Sequence, residues 1–270
     1  MFPQHASERH YAGGCLSRPP ALNTQFSTNN SVRAGFTLLE LLVVVGIIAL
    51  LLVLIAPAFT TIKSGTDVTS AAYTIKGALD TARTYAKANN TYTWVGFYEE
   101  DISQPPATAG VGRLVMSIVA SKDGTTVYDP NNPAVIDATK LIQVGKLTKI
   151  DNVHLWTHTD TPTGTGSTFD TRANVAPTYC IGDSSPPNSA TPFQYPVGVP
   201  VPSPQYTFQK AIQFGPKGEV RINNTTNSPQ RGVEIAFEQT HGAAPPASIP
   251  ANVAAIQVNG FAGDVTIYRR

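Results

Sequence analysis

Charge is scarce in this chain. Asp, Glu, Lys and Arg make up 14% of its 270 residues, against about 25% in ordinary soluble domains. Ser, Thr, Asn, Gly and Pro carry the polar surface instead, as in many extracytoplasmic β-rich proteins. A net charge of +1 excludes a bulk field able to draw in nucleic acid or anionic lipid. Cysteine is almost absent, with only Cys15 and Cys180. If Cys15 leaves with a leader, Cys180 stands alone and an internal disulfide framework is excluded. No catalytic constellation is visible, which makes a membrane-anchored or secreted enzyme the weakest functional class. The length suits one or two domains with a sizeable core.

What the chain does have is one long apolar run, "AGFTLLELLVVVGIIALLLVLIAPAF", residues 34–59. Residues 36–56 are 21 in number, and Glu40 is the sole ionisable one. As a helix they span roughly 31 Å, which matches the ~30 Å bilayer core. An ionised carboxylate inside hydrocarbon costs on the order of 3 kcal/mol, so Glu40 needs a partner or an interface. Three readings compete. The run is an ordinary signal anchor with an incidental acid, or a secretory signal peptide cut near Ala56-Pro57-Ala58. In the third reading a leader is removed before Phe36 and the apolar helix stays in the mature chain.

Gly35-Phe36-Thr37-Leu38-Leu39-Glu40 resembles the cleavage motif of type IV prepilins and type II secretion pseudopilins. The resemblance implies cutting between Gly35 and Phe36 by a prepilin peptidase, followed by N-methylation of Phe36. It implies other pilins or pseudopilins as partners and no cofactor. It also implies a single-pass protein of the bacterial inner membrane, its head in the periplasm, later built into a periplasmic filament. Glu40 would then neutralise the terminal amine of a neighbouring subunit. Attraction between two such charges is strong in a low dielectric, and an unpaired one is costly. Pro57, twenty-two residues into the mature chain, falls where pilin helices commonly kink, because proline removes a hydrogen bond and bends the axis. The leader would hold 35 residues, long for the family, with Arg9, Arg18 and Arg33 as its basic residues. No methionine between Met1 and Met116 offers another start. Arg33 beside the cut suits a cytoplasmic flank.

Beyond Gly65 the pattern becomes amphipathic. Val68, Ala71, Ala72, Ile75, Leu79, Ala82 and Ala86 fall at helical spacing and predict a buried stripe. Lys76, Asp80, Arg83 and Lys87 lie off it, with Lys76–Asp80 and Asp80–Arg83 able to pair. One helix kinked near Pro57 is expected to run from 36 to about 89. The layout is then a leader (1–35), a membrane or filament-core helix (36–56), its amphipathic continuation (57–90) and a β-rich periplasmic head (91–270).

Within the head, residues 91–98, 113–120, 140–147, 152–157, 206–214, 219–223, 233–238, 253–259 and 265–269 read as strands. Gly215-Pro216-Lys217-Gly218 predicts a hairpin between 212–214 and 219–222, and "NGFAGD" (259–264) links the last two strands likewise. The fold class is α+β: a long helix packed on an antiparallel sheet, pilin-like. Seven prolines within 183–204 forbid a central strand there and predict an extended, solvated insertion. "THGAAPPASIP" (240–250) predicts a second such loop.

"AAYTIKGALDTARTYAKANNTYTWVGFY" (71–98) resembles the H-type minor pseudopilins and the FimT group. The insertion before "IQFGPKGEVRI" and the ending "VTIYRR" resemble, more loosely, protein D of the Verru_Chthon cassette.

Other candidate sites are weaker. His154 and His158 in "HLWTH" would lie roughly 13 Å apart on one face of a strand, too far to share a metal, and no third ligand is visible. "GDSS" (182–185) sits among prolines rather than at a strand-to-helix turn, which favours a loop over a nucleophile. "EED" (99–101) and "KDGTTVYDPNN" (122–132) are oxygen-rich. Major pseudopilins bind calcium, but the ligand spacing matches no fixed motif and solvated turns fit better. Arg269 and Arg270 end the chain behind Tyr268. Some FimT-like minor pilins bind DNA through basic residues near the C-terminus, so a DNA-binding minor pilin is the alternative. Two arginines make few phosphate contacts, so binding would be weak and salt-sensitive. Without residues 1–35 the chain holds 16 basic and 17 acidic residues, which forces no wider basic face. Cys180 reads as a spectator in a loop.

Overall fold

The computed structural model describes residues 35–127, 138–183, 189, 192–197, 205–222, 231–242, 244–245 and 248–270, and leaves the side chains of residues 54–66 undescribed. Two compact units divide the chain, one ending at Leu51 and the other covering Leu52–Arg270. A single helix, α1 (Leu38–Ala88), opens the described chain. Every residue from Phe36, two before its start, to Val53 is exposed. The kink expected at Pro57 lies among the residues whose side chains are outside the described part.

In the second unit the amphipathic stripe is used as its spacing requires. Val68, Ala71, Ala72, Ile75, Leu79, Ala82 and Ala86 are all fully buried, in one core with Val95, Leu114, Met116, Phe214 and Ile256. Each fully buried Val, Ile or Leu contributes about 1.5–3 kcal/mol. Alanines on the remaining positions let the backbone sit close to the sheet. The helix stops at Asn90, which takes the left-handed conformation (φ 49°) that asparagine tolerates. Thr91 N–H then closes on Ala86 C=O at 3.0 Å, a Schellman-type end. Lys76 pairs with Asp80 at 3.1 Å as expected. Arg83 instead reaches Asp264, at 2.9 Å.

Among the described residues twelve strands follow: β1 (Thr93–Asp101), β2 (Gly112–Ser121), β3 (Leu141–Gln143), β4 (Thr148–Leu155), β5 (Cys180–Ile181), β6 (Phe193–Tyr195), β7 (Tyr206–Phe208), β8 (Lys210–Phe214), β9 (Val220–Ile222), β10 (Gly232–Gln239), β11 (Val253–Asn259) and β12 (Val265–Arg269). The main sheet runs β12-β11-β10-β4-β2-β1-β8-β9, with β3 beside β2 and β5 beside β10. All its pairings are antiparallel except β5 with β10. The expected β8–β9 hairpin forms, with Phe214 opposite Val220. The far end of the sheet curls back, so that Val220 N–H donates to Gly260 C=O between β11 and β12 at 2.7 Å.

Both faces of the central strands are covered, so β1 and β2 are buried along most of their length instead of alternating. One face meets α1. The other is covered at the β1–β8 end by β6 and β7, which pair as a separate small sheet. Phe193 and Phe208 stack there at 5.0 Å, over Gly96. Any side chain at Gly96 would collide with both rings, which is why a glycine interrupts an otherwise bulky strand. At the β10–β11 end a smaller cluster of Phe169, Ala236, Val253 and Ala255 lies under the 156–179 segment.

Three expectations are corrected by this packing. The 183–204 insertion is not solvated throughout, because β6 forms within it and Phe193 is buried; the rest of it lies mostly outside the described residues. The 140–147 strand is only the short β3, followed by Gly145 in the left-handed region (φ 77°), which ends it. The 206–214 strand is two strands, broken at Gln209 where the chain passes from the covering sheet into the main one.

Candidate assembly segment and buried polar clusters

The N-terminal apolar segment is unlike the rest of the described chain. Phe36 and Leu38 are 84% and 82% exposed, and the large apolar side chains that follow, as far as Val53, stay open. An uninterrupted apolar surface of this extent marks a site that another protein or a membrane covers. At its start, Glu40 Oε2 accepts from both the N–H and the hydroxyl of Thr37, each at 2.9 Å, and Glu40 N–H donates to Thr37 Oγ1 at 3.2 Å. This is a capping box: two of the free N–H groups at a helix start are satisfied reciprocally. The Thr37-x-x-Glu40 spacing carried that signal, and a reading centred on a partner amine missed it. Among the described residues nothing lies within 4 Å of where a side chain at Gly35 would stand, so they place no steric demand for glycine there.

Among the described residues no helix is long and apolar enough to cross a membrane. None of their His, Cys, Asp and Glu side chains form a group of three or more able to hold a metal ion.

The acidic stretch 99–101 is not a solvated turn. It is the end of β1, and Glu100 is 1% exposed. Its carboxylate accepts from Ala107 N–H (2.7 Å), Tyr206 Oη (2.8 Å) and Arg113 Nη1 (2.9 Å), with Lys149 Nζ at 3.5 Å. Burial alone would raise its pKa. The Ala107 amide, Arg113, Tyr206 and Lys149 outweigh burial and hold the carboxyl at about 2. Arg113 also pairs with Asp151. These residues tie β1, β2, β4 and β7 together.

A second buried cluster centres on Arg172, 2% exposed. It makes bidentate bonds to Asp160 (2.7 and 3.0 Å) and to Glu234 on β10 (2.9 and 3.1 Å), donates to Phe169 C=O and lies 4.0 Å over the Phe169 ring. Burial opposes the charge, but the two carboxylates raise its pKa further. Planar, forked arginine fits this role as lysine could not. Arg270 joins from outside, pairing with Asp170 and lying 5.3 Å over the same ring. The expected DNA contact Arg270 thus has its charge matched within the protein, whereas Arg269 stands exposed in β12.

His154 and His158 are both buried, with only His154 in a strand. His154 Nδ1 lies 2.8 Å from Glu99 Oε1, so the proton on that nitrogen is assigned to donate to the carboxylate. His158 rests edge-on against Phe169, and burial pushes its pKa down to about 4. Of "GDSS", Ser184 and Ser185 lie outside the described residues, and Asp183 accepts from Thr157 N–H at 3.0 Å. Cys180 is not in a loop but in β5, where burial raises its thiol pKa to about 12. Asp123, from the second oxygen-rich stretch, accepts from Thr125 N–H and hydroxyl and from Ser121, closing its own turn; residues 128–132 lie outside the described residues.

The architecture is therefore that of an α+β head following an exposed apolar helix. Residues 30–56 match the family described as "Prokaryotic N-terminal methylation motif", a type IV pilin-like signature. No curated protein and no solved structure matches the chain.

Proposed function

We propose that this chain is a minor pseudopilin: a structural subunit, not an enzyme, of a type II secretion-like or type IV pilus-like filament. The observation that carries this reading is the exposed apolar segment from Phe36 to Val53 with Glu40 near its start, lying inside the matched motif. Prepilin peptidase cuts after Gly35, and the new terminus, Phe36, is methylated. Residues 36–56 anchor the precursor in the inner membrane and then pack helix against helix in the filament. On assembly, Glu40 exchanges its Thr37 donors for the terminal amine of a neighbouring subunit. The head, of the H-type or FimT kind or that of the Verru_Chthon cassette protein D, faces the periplasm.

Mass spectrometry of the mature N-terminus tests the reading. A chain starting at Phe36 with one added methyl is expected. A chain starting near Phe59, or one retaining residues before Gly35, would overturn it.

A further inference from the structure

The main sheet is two blocks whose strands pair with each other along one short seam, the turns at the far end also touching. On one side stand β12, β11, β10 and β5; on the other β4, β2, β1, β8 and β9, with β3. Strands β10 and β11 share seven residue pairs and β1 and β2 share nine, whereas β4 meets β10 through only three: Phe237 with Leu155, Glu238 with His154, and Gln239 with Val153. The ladder continues one step beyond at each end, where Trp156 N–H donates to Ala236 C=O at 3.0 Å and Thr240 N–H to Asn152 C=O at 3.1 Å. The middle pair of this seam places a carboxyl group directly opposite an imidazole. Both are buried, His154 at 3% exposure and Glu238 at 2%.

His154 is thus set between two acids from different strands. Nδ1 is engaged by Glu99 of β1, which also accepts Leu155 N–H at 2.9 Å. Nε2 is buried without a hydrogen-bond partner among the described residues. Asp183, just after β5, adds a third negative charge facing both His154 and Glu238. Lys210 of β8 faces Asp183 and Glu99 and donates to the carbonyls of Gly182 and Asp183. Trp156 closes the far side of the imidazole edge-on at 5.6 Å.

We propose that the β4–β10 seam is a pH-operated joint, closed when Glu238 is neutral and His154 is charged against Glu99, and loosened when Glu238 ionises and His154 loses its proton. In the closed state the buried trio carries one ion pair and no net charge. In the loosened state it carries two carboxylates beside a neutral imidazole, with Asp183 close by, and their repulsion acts across the short ladder that pairs the two blocks.

Both groups push in one direction. Burial lifts Glu238 to about 7 from an ordinary 4.5, more than the nearby His154 charge lowers it. Its contribution is therefore full below pH 4.5 and is lost as pH rises through about 7. Burial would lower His154, but Glu99, Glu238 and Asp183 outweigh it, so its pKa lies above 6.5. That contribution is full below pH 6.5 and is also lost on going alkaline. His158, depressed to about 4, acts oppositely on global stability, which weakens as pH falls from 6.5 towards 4. A local readout is therefore required.

Hydrogen exchange of the Trp156 and Thr240 amides in the full-length chain, corrected for intrinsic rates, supplies that readout. Between pH 5.5 and 8.5 their protection should fall by about tenfold or more, since one pKa unit corresponds to a factor of ten. The β1–β2 amides should keep theirs. Glu238→Gln, an isostere of the neutral acid, should remove the part of the fall that Glu238 carries and leave only the part carried by His154. His154→Gln should lose most of the remaining pH dependence. Protection in the wild-type chain that does not change with pH would overturn the proposal, and so would an equal fall in Glu238→Gln. Neither outcome bears on processing at Gly35, so the joint and the pseudopilin reading stand or fall separately.

Discussion

Thr37 and Glu40 hold each other through three hydrogen bonds, of which two converge on a single carboxylate oxygen. Glu40 therefore has a partner within its own chain before any neighbouring subunit arrives. This relationship separates two roles that a simple deletion would confuse. Glu40→Ala should fray the start of α1 by about 1 kcal/mol and also stop incorporation into filaments. Thr37→Ala should fray the helix equally and leave incorporation intact. Helix protection by hydrogen exchange and filament incorporation by cross-linking, measured on both variants, check the distinction. If Thr37→Ala also abolished incorporation, capping rather than charge pairing would be the function of Glu40.

Arg172 predicts a large loss from a single surface-neutral change. Arg172→Leu leaves Glu234, on β10, buried with its charge no longer met by the guanidinium, and breaking a buried pair in this way costs about 3–5 kcal/mol. Chemical denaturation of the detergent-solubilised chain measures it. Glu234→Gln, which keeps one acceptor oxygen for the guanidinium and leaves Asp160 to balance its charge, should cost clearly less. By contrast Lys76→Ala, which removes a half-exposed helix pair with Asp80, should cost no more than about 0.5 kcal/mol from the lost pair.

Gly263 is demanded by the closure of the sheet. It has φ 73°, and a Cβ there would run into Gly218 C=O and sit 3.0 Å from Arg83 Nε. Gly263→Ala should therefore destabilise by about 2–3 kcal/mol, combining a left-handed conformation with overpacking. Gly242→Ala, with φ 71° and nothing within 4 Å among the described residues, should show the conformational cost alone, about 1 kcal/mol. Thermal melting of the two variants compares them. Equal losses would show that the contact of the β8–β9 turn with the β11–β12 turn is slack.

Much of the fold was legible because its signals are local. The stripe from Val68 to Ala86 is a period that any helix must bury, and each of its seven members is buried. The turn at Gly215-Pro216-Lys217-Gly218 specifies its hairpin through backbone preferences within six residues. The apolar run with Glu40 was equally plain, since no water-filled turn or strand fits so long an uncharged stretch. The acidic stretch at Glu99 to Asp101 was misread for the converse reason. Three adjacent acids look solvated unless their partners are known, and the cations that meet Glu100, Arg113 and Lys149, come from other strands.

By itself, then, the sequence determined a helix with one apolar half and one amphipathic half, a β-rich head after it and an N-terminal methylation motif over its start, because periodicity and turn chemistry act between near neighbours. Only the tertiary structure decided that Arg172 meets Glu234 from 62 residues away, that Glu238 faces His154 and that a two-stranded cover seals the sheet over Gly96. Strand register sets which side chains meet, and a buried charge is tolerated only where register delivers its partner.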